Sequence, residues 1–294
     1  MSRQRYGELA AWMAIGVLVV ALPMAVARIS RPARSAPFDV DRVAAHVDYL
    51  AEALGPREAG SDQARRAAAY MAGQLRALGY EPETTSVELP DGRRAHNVSA
   101  LKQGVSPREV VLAAHLDTFK GSPGANDDAS GVGAIIELAR LLRGTQPPLS
   151  VRFLGLGAEE ALPGSEAHSF SSAAYLEGLS DEQRNRIAAV LVLDKIGVGR
   201  RYLVRYIEGT SPAAAEQLAL SARRLGHKPV YTSVRRWDEH MPFEDAGIPT
   251  AWVEWSRDPN LHKPTDLPGA LSPGKMRAVG DSVFEAITTW SEGY

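Results

Sequence analysis

The sequence predicts an α/β fold: a largely parallel sheet covered by helices on both faces. Two patterns lead there. Short, mainly apolar runs at 110–114, 151–156 and 187–193 suit strands buried on both sides. Stretches of helical periodicity alternate with them, at 131–142, 213–225 and 273–290.

Ahead of the first strand, residues 39–54 place Val40, Val43, Val47, Leu50 and Leu54 on one helical face. Gly55-Pro56 turns the chain, and Ser61 or Asp62 caps a second helix that runs to about Leu78 and closes at Gly79. Past Pro37 there are no internal repeats and no low-complexity tracts, so the expected organisation is a single domain over 35–294.

The first 34 residues read differently. Arg3 and Arg5 precede an apolar run at 9–27, interrupted by Pro23. As a helix this run would rise about 28 Å, close to the hydrocarbon thickness of a bilayer. A signal peptide accounts for the basic start, the apolar core and the Ala25-Val26-Ala27 cleavage pattern. An uncleaved anchor accounts for the full length, although Arg28, Arg31 and Arg34 follow the run on the side expected to be exported. Either way residues 1–34 are expected to be a signal peptide or membrane anchor plus linker. The protein is then exported, secreted or membrane-anchored, and touches a membrane only through this segment.

Composition excludes several functions. The 294 residues are 45% hydrophobic and 23% charged, with a formal net charge of −2. No basic face of the kind that binds nucleic acid is present. Cysteine is absent, which removes disulfides, thiolate metal sites and a cysteine nucleophile, and leaves His, Asp and Glu as metal ligands. His-Glu-x-x-His and the Gly-x-Ser-x-Gly elbow are missing as well.

Chemistry-bearing residues recur where buried strands end, the region in which parallel sheets collect ligand sites. His115-Leu116-Asp117 follows the run at 110–114, and alternation puts His115 and Asp117 on the same side. A metal-binding imidazole needs a partner for its second nitrogen, and Asp117 is one candidate. Asp127 and Asp128 lie in a glycine-flanked stretch before the helix at 131–142. Two acids there would suit a helix N-terminus, but the small surrounding residues suit a carboxylate folded inward to bridge two cations. Glu159 and Glu160 follow the run at 151–156. As chain neighbours they point in different directions, so one is suited to a metal and the other to an activated water. Asp194 closes the run at 187–193, and His262 lies in a proline-containing loop. Three carboxylates and a bridging hydroxide balance the four positive charges of two zinc ions, and two neutral imidazoles complete the ligand shells.

These stretches, with Gly55 to Ser61, Gly164-Ser165, His240 to Phe243 and Ala246 to Pro249, occur in the order seen in a known family. The chain resembles the zinc aminopeptidases that include bacterial leucyl aminopeptidase, aminopeptidase Y and glutaminyl cyclase. The resemblance implies a zinc exopeptidase-like domain with a mixed, mostly parallel, twisted sheet between helices. It implies that His115 and Asp194 hold one zinc ion, that Glu160 and His262 hold the other, and that Asp127 bridges them. Glu159 would be the general base, Asp117 would orient His115, and the Asp127–Asp128 peptide would be cis. Thr118, Asn126, Glu239 and Lys263 depart from residues common in the family.

The leading expectation is therefore an aminopeptidase that removes N-terminal residues from peptides with a free amino terminus. A glutaminyl cyclase-like, single-zinc aminoacyltransferase is the second reading. Related carboxypeptidases and dipeptidases insert a lid after the third ligand region, and 195–261 leaves little room for one. A non-catalytic ectodomain of the same fold would typically lack several ligands, whereas all five positions are filled here.

Overall fold

A computed structural model describes residues 38–160, 169–235 and 241–290. The expected boundary near residue 34, the N-terminal apolar run, Gly164-Ser165, Glu239 and His240 lie outside them. No helix among the described residues is long and apolar enough to cross a membrane.

The chain opens with α1 (Val40–Val47), capped by the Asp39 carboxylate and continued by a π-helical segment, Asp48–Leu54. Val40, Val43, Val47, Leu50 and Leu54 are all buried, which matches the predicted face. Ser61 caps α2 (Asp62–Ala77) by accepting from Ala64 N–H. Strands β1 (Glu83–Glu88), β2 (Arg94–Lys102) and β3 (Ser106–His115) precede α3 (Ser130–Leu142) and β4 (Leu149–Leu156). Then come α4 (Phe170–Glu177), α5 (Asp181–Arg186), β5 (Ile187–Leu193), β6 (Arg201–Ile207), α6 (Ala213–Arg224), β7 (Val230–Val234), α7 (Met241–Asp245), β8 (Thr250–Ser256) and α8 (Pro273–Thr288).

The strands form one mixed sheet in the order β1-β2-β4-β3-β5-β8-β6-β7. Its centre, β4-β3-β5-β8, is parallel, while β1, β2 and the β6–β8 pair run antiparallel to their neighbours. Alternation along β3 explains why its run at 110–114 is apolar throughout. Val110, Leu112 and Ala114 enter the larger core under α1, α2, α3, α6 and α8, and Val111 and Ala113 enter a second core on the opposite face. The parallel centre thus brings four strand carboxyl ends to one edge of the sheet.

Beside α3, His46 Nδ1 lies 2.7 Å from Tyr70 Oη, and Tyr49 stacks on Tyr70. Burial, aided by Arg42, pushes the His46 pKa down to about 4. The folded value lies below the unfolded one, so the neutral imidazole's contribution is present above about pH 6.5 and is lost as pH falls toward 4. Denaturant unfolding followed from pH 7 to pH 4 is expected to show stability falling by up to about 3 kcal/mol from this group. His46→Leu should flatten that limb. An unchanged slope in the variant would show that His46 does not drive it.

Candidate metal centre

The edge formed by the strand ends carries every residue singled out as a ligand. His115 is the last residue of β3, and the register pairs it with Leu156 on β4. Ala113 pairs with Val192 on β5, so Asp194, one residue past β5, comes level with His115. Asp127 sits in the irregular turn Ala125–Ala129 ahead of α3, and His262 on the loop after β8, at φ 59°.

The Asp127 carboxylate faces two ways. Its Oδ1 lies 3.0 Å from His115 Nε2, which is 3.8 Å from Asp194 Oδ1. Its Oδ2 lies 3.3 Å from His262 Nε2, which is 3.4 Å from Glu160 Oε1. The five side chains therefore form two imidazole–carboxylate pairs that share one aspartate. Donor atoms of His115, Asp127 and Glu160 lie within 4.8 Å of one another, as do those of His115, Asp128 and Asp194. The Asp127–Asp128 peptide is cis.

The donor set fits divalent metal. His115, Asp127, Glu160 and Asp194 are all buried, and among the described residues Glu160 Oε1 and Asp194 Oδ1 accept no hydrogen bond and face only an imidazole, at 3.4 and 3.8 Å. Buried carboxylate oxygens without hydrogen bonds need a cation nearby. Oxygen and imidazole nitrogen are ligands zinc accepts. The electrostatics agree. Burial opposes ionisation of Asp127, but Lys195 and the two imidazoles outweigh it and hold the carboxyl well below its usual range. Burial raises the Glu160 pKa. The Asp127 and Glu160 carboxylates, facing the His262 imidazole as acceptors, raise its pKa to about 10. A metal held by the same donors would take the place of that proton.

Asp117 meets His115 with both its main-chain carbonyl and its carboxylate. His115 Nδ1 is 3.2 Å from the Asp117 main-chain oxygen and 3.6 Å from its carboxylate. The carboxylate also accepts from Glu159 N–H and Glu160 N–H, at 3.0–3.1 Å. Asp117 thus orients His115, and it fixes the backbone that carries both glutamates.

Further residues that hold the site were not legible as functional. Arg57 has no solvent exposure, and its guanidinium donates to the carbonyls of Leu50, Gly55, Leu116, Pro123 and Gly124. Burial lowers its pKa to about 10, opposed by Asp117, Asp128, Asp266 and Asp127. Asp266 accepts from Asn126 N–H and Asp127 N–H. Burial raises its pKa to about 6. Asn126 explains its own departure from an acid. Its Oδ1 accepts from Gly197 and Val198 N–H while its Nδ2 donates to Asp258 at 2.7 Å, and a carboxylate there would have no hydrogen to give. Thr118 accepts from Arg57 N–H, and Lys263 turns its ammonium to Pro259 O. Gly124 holds φ +61°, and a Cβ there would collide with Thr118 and the Asp127 carbonyl.

A cleft of about 720 Å³ opens beside the centre, lined on one side by Asp127, Glu159, Glu160 and His262, and on the other by β6, β7 and β8.

A parallel strand edge bearing paired imidazoles and carboxylates defines the class as an α/β protein with a candidate metal centre at its strand ends. Solved structures share the fold. A zinc aminopeptidase from Bacillus subtilis superimposes with TM-score 0.77 at 18% identity, covering 85% of this chain and 95% of that one. A glutaminyl cyclase from Bacteroides thetaiotaomicron gives 0.76 at 23% identity, covering 87% and 100%. In sequence, residues 97–287 match Peptidase family M28, and the chain belongs to that family. Aminopeptidase YwaD of Bacillus subtilis is 28% identical over 191 residues, 62% of this chain and 41% of its own length. Leupeptin-inactivating enzyme 1 of Streptomyces exfoliatus is 28% identical over 260 residues, 84% of this chain and 57% of its own length. The chain thus spans about half the length of these relatives.

Arg57 offers a direct test of how the site is held. Arg57→Met leaves five carbonyls without their donor and the surrounding acids without their cation. It is expected to lower stability by about 3–5 kcal/mol and to reduce bound zinc, measured by denaturant unfolding and by elemental analysis of the purified protein. Arg57→Lys restores the charge without the planar fork and should fall between. A wild-type unfolding midpoint in Arg57→Met would remove this role.

Proposed function

We propose that the chain is a metal-dependent aminopeptidase with two zinc ions, held by His115 and Asp194, by His262 and Glu160, and by Asp127 between them. The observation that carries this reading is the Asp127 carboxylate, whose two oxygens face two separate imidazole–carboxylate pairs. Family membership and the aminopeptidases among the relatives support it. When bound, the metals would polarise a water and the scissile carbonyl.

The chain's own residues do the rest. Glu159 lines the cleft next to the ligand Glu160, and Asp117 fixes both through their N–H groups. Glu159 takes a proton from the attacking water and delivers it to the leaving amine nitrogen as the C–N bond breaks. Asp127, Glu159 and Glu160 give the cleft an acidic side, which suits the ammonium of a peptide's free N-terminus. Residues 1–34 would export the protein, with the hydrolase acting outside the cytoplasm. The basic start and apolar run support this.

Assay of the zinc-loaded protein on aminoacyl, N-blocked and glutaminyl substrates tests the reading. Cleavage confined to free N-termini, with two zinc ions per chain, is expected. Cyclisation of N-terminal glutamine with one zinc ion would replace it with the cyclase.

The two adjacent glutamates separate cleanly. Glu160→Gln should lower zinc content at limiting metal. Glu159→Gln should keep zinc and fold while kcat drops about 10²–10⁴-fold and KM changes little. Near-normal turnover in Glu159→Gln, with zinc intact, would show that the base lies elsewhere.

Deletion of residues 1–34 should yield a soluble protein that keeps its activity. Loss of folding on deletion would make the apolar run part of the core and end the export reading.

A further inference from the structure

The cleft wall facing the candidate ligands is a sheet surface with an unusual charge. On antiparallel β6 and β8, Arg201 pairs with Ser256, Leu203 with Glu254, and Arg205 with Trp252. All six side chains line the cleft, the alternate positions of two strands turned to one side. Arg257, just past β8, lines it too. A pocket for a leucine-like side chain would be apolar, but among the described residues this wall carries three arginines against one glutamate.

The arginines are not equivalent. Arg205 is paired with Glu254 at 2.7 Å and lies over the Trp252 ring, 4.9 Å from its centroid. Arg201 and Arg257 are exposed and form no ion pair among the described residues. Across the cleft stand Asp127, Glu159 and Glu160, while Lys195, paired with Asp194 and 5.1 Å from the Trp252 ring centroid, lies between the two sides. The cavity is therefore acidic on the side of the candidate ligands and cationic on the side of the sheet. The Trp252 ring and Leu203 supply apolar surface in the cationic wall.

We propose that Arg201 and Arg257 bind a carboxylate of the substrate, close to the residue being released. This rests on the exopeptidase reading and deepens it. A substrate lying across the cleft would set its ammonium toward the acids and its carboxylate toward the arginines. A guanidinium fork matches a carboxylate with two parallel hydrogen bonds. Two substrates supply that group there: a peptide whose N-terminal residue is aspartate or glutamate, or a dipeptide through its free C-terminus.

The test uses the full-length, zinc-loaded protein and matched pairs that differ in the carboxylate. Glutamyl against glutaminyl p-nitroanilide reads the side-chain source. Leu-Gly against Leu-Gly amide reads the C-terminal source. The carboxylate-bearing member of at least one pair is expected to show kcat/KM about tenfold higher, expressed mainly in KM. That ratio should fall toward one in Arg201→Gln/Arg257→Gln and recover in part in Arg201→Lys/Arg257→Lys. Equal kcat/KM within both pairs, or a ratio that survives the glutamine substitutions in a protein of unchanged circular dichroism, overturns the proposal.

Calorimetric binding of L-glutamate against L-glutamine, and of Leu-Gly against its amide, separates this proposal from the reading it rests on. If no substrate turns over but a carboxylate-bearing ligand binds more tightly and loses that advantage in the glutamine variant, the exopeptidase reading falls and the arginine site stands. Equal binding within both pairs sinks the arginine site whatever the turnover.

Discussion

A guanidinium cut off from solvent organises the working end of this molecule. Arg57 reaches the carbonyls on either side of the loop between β3 and α3, and so holds 116–124 against the π-helical segment that follows α1. It is also the fixed positive charge among Asp117, Asp127, Asp128 and Asp266, which surround it closely enough to raise its pKa against burial. Like charges would otherwise drive these acids apart or force protons onto them. With Arg57 in place the loop can fold tightly enough to turn Asp127 inward, and the remaining negative charge is left for cations in the cleft. The adjoining polar contacts extend the same arrangement. Asp266 gathers the backbone of 126 and 127, Asn126 gathers that of 197 and 198, and the loops after β3, β5 and β8 become one unit.

How much of this was legible in the sequence follows from how far each signal reaches along the chain. Strands β3, β4 and β5 are covered on both faces, so burial makes them nearly continuous apolar runs that stand out in isolation. Strands β1, β2, β6 and β7 are half-exposed and mix polar with apolar residues, and the sequence reading did not resolve them. β8 was missed too, because Glu254 breaks its short apolar stretch. The candidate ligands were legible because they sit where legible strands end, and His262 because it fell in order within a family pattern.

Arg57 and Asp266 belong to the other category. Their partners lie 59–67 and 139–140 residues away for the contacts that matter most. Nothing local distinguishes a buried arginine after Gly-Pro from a solvated one. Asp117 shows the intermediate case. Alternation correctly set it near His115, yet the partners of its carboxylate come from another strand end, which a period of two along one strand cannot reveal.

The reversal of direction between β8 and β6 has a consequence of a different kind. The candidate ligands hang from strand ends and from loops that Asp117, Asn126 and Asp266 tie together. The opposite wall of the cleft is made of alternate positions on strand faces, whose backbone pairing is indifferent to the side chain carried. Arg201, Leu203, Val230 and Thr232 can each be exchanged without moving a ladder hydrogen bond or a loop that supports the centre. Such a division lets the chemistry stay fixed while the surface that meets the substrate drifts. It gives a lineage built on this sheet a way to change its diet one residue at a time.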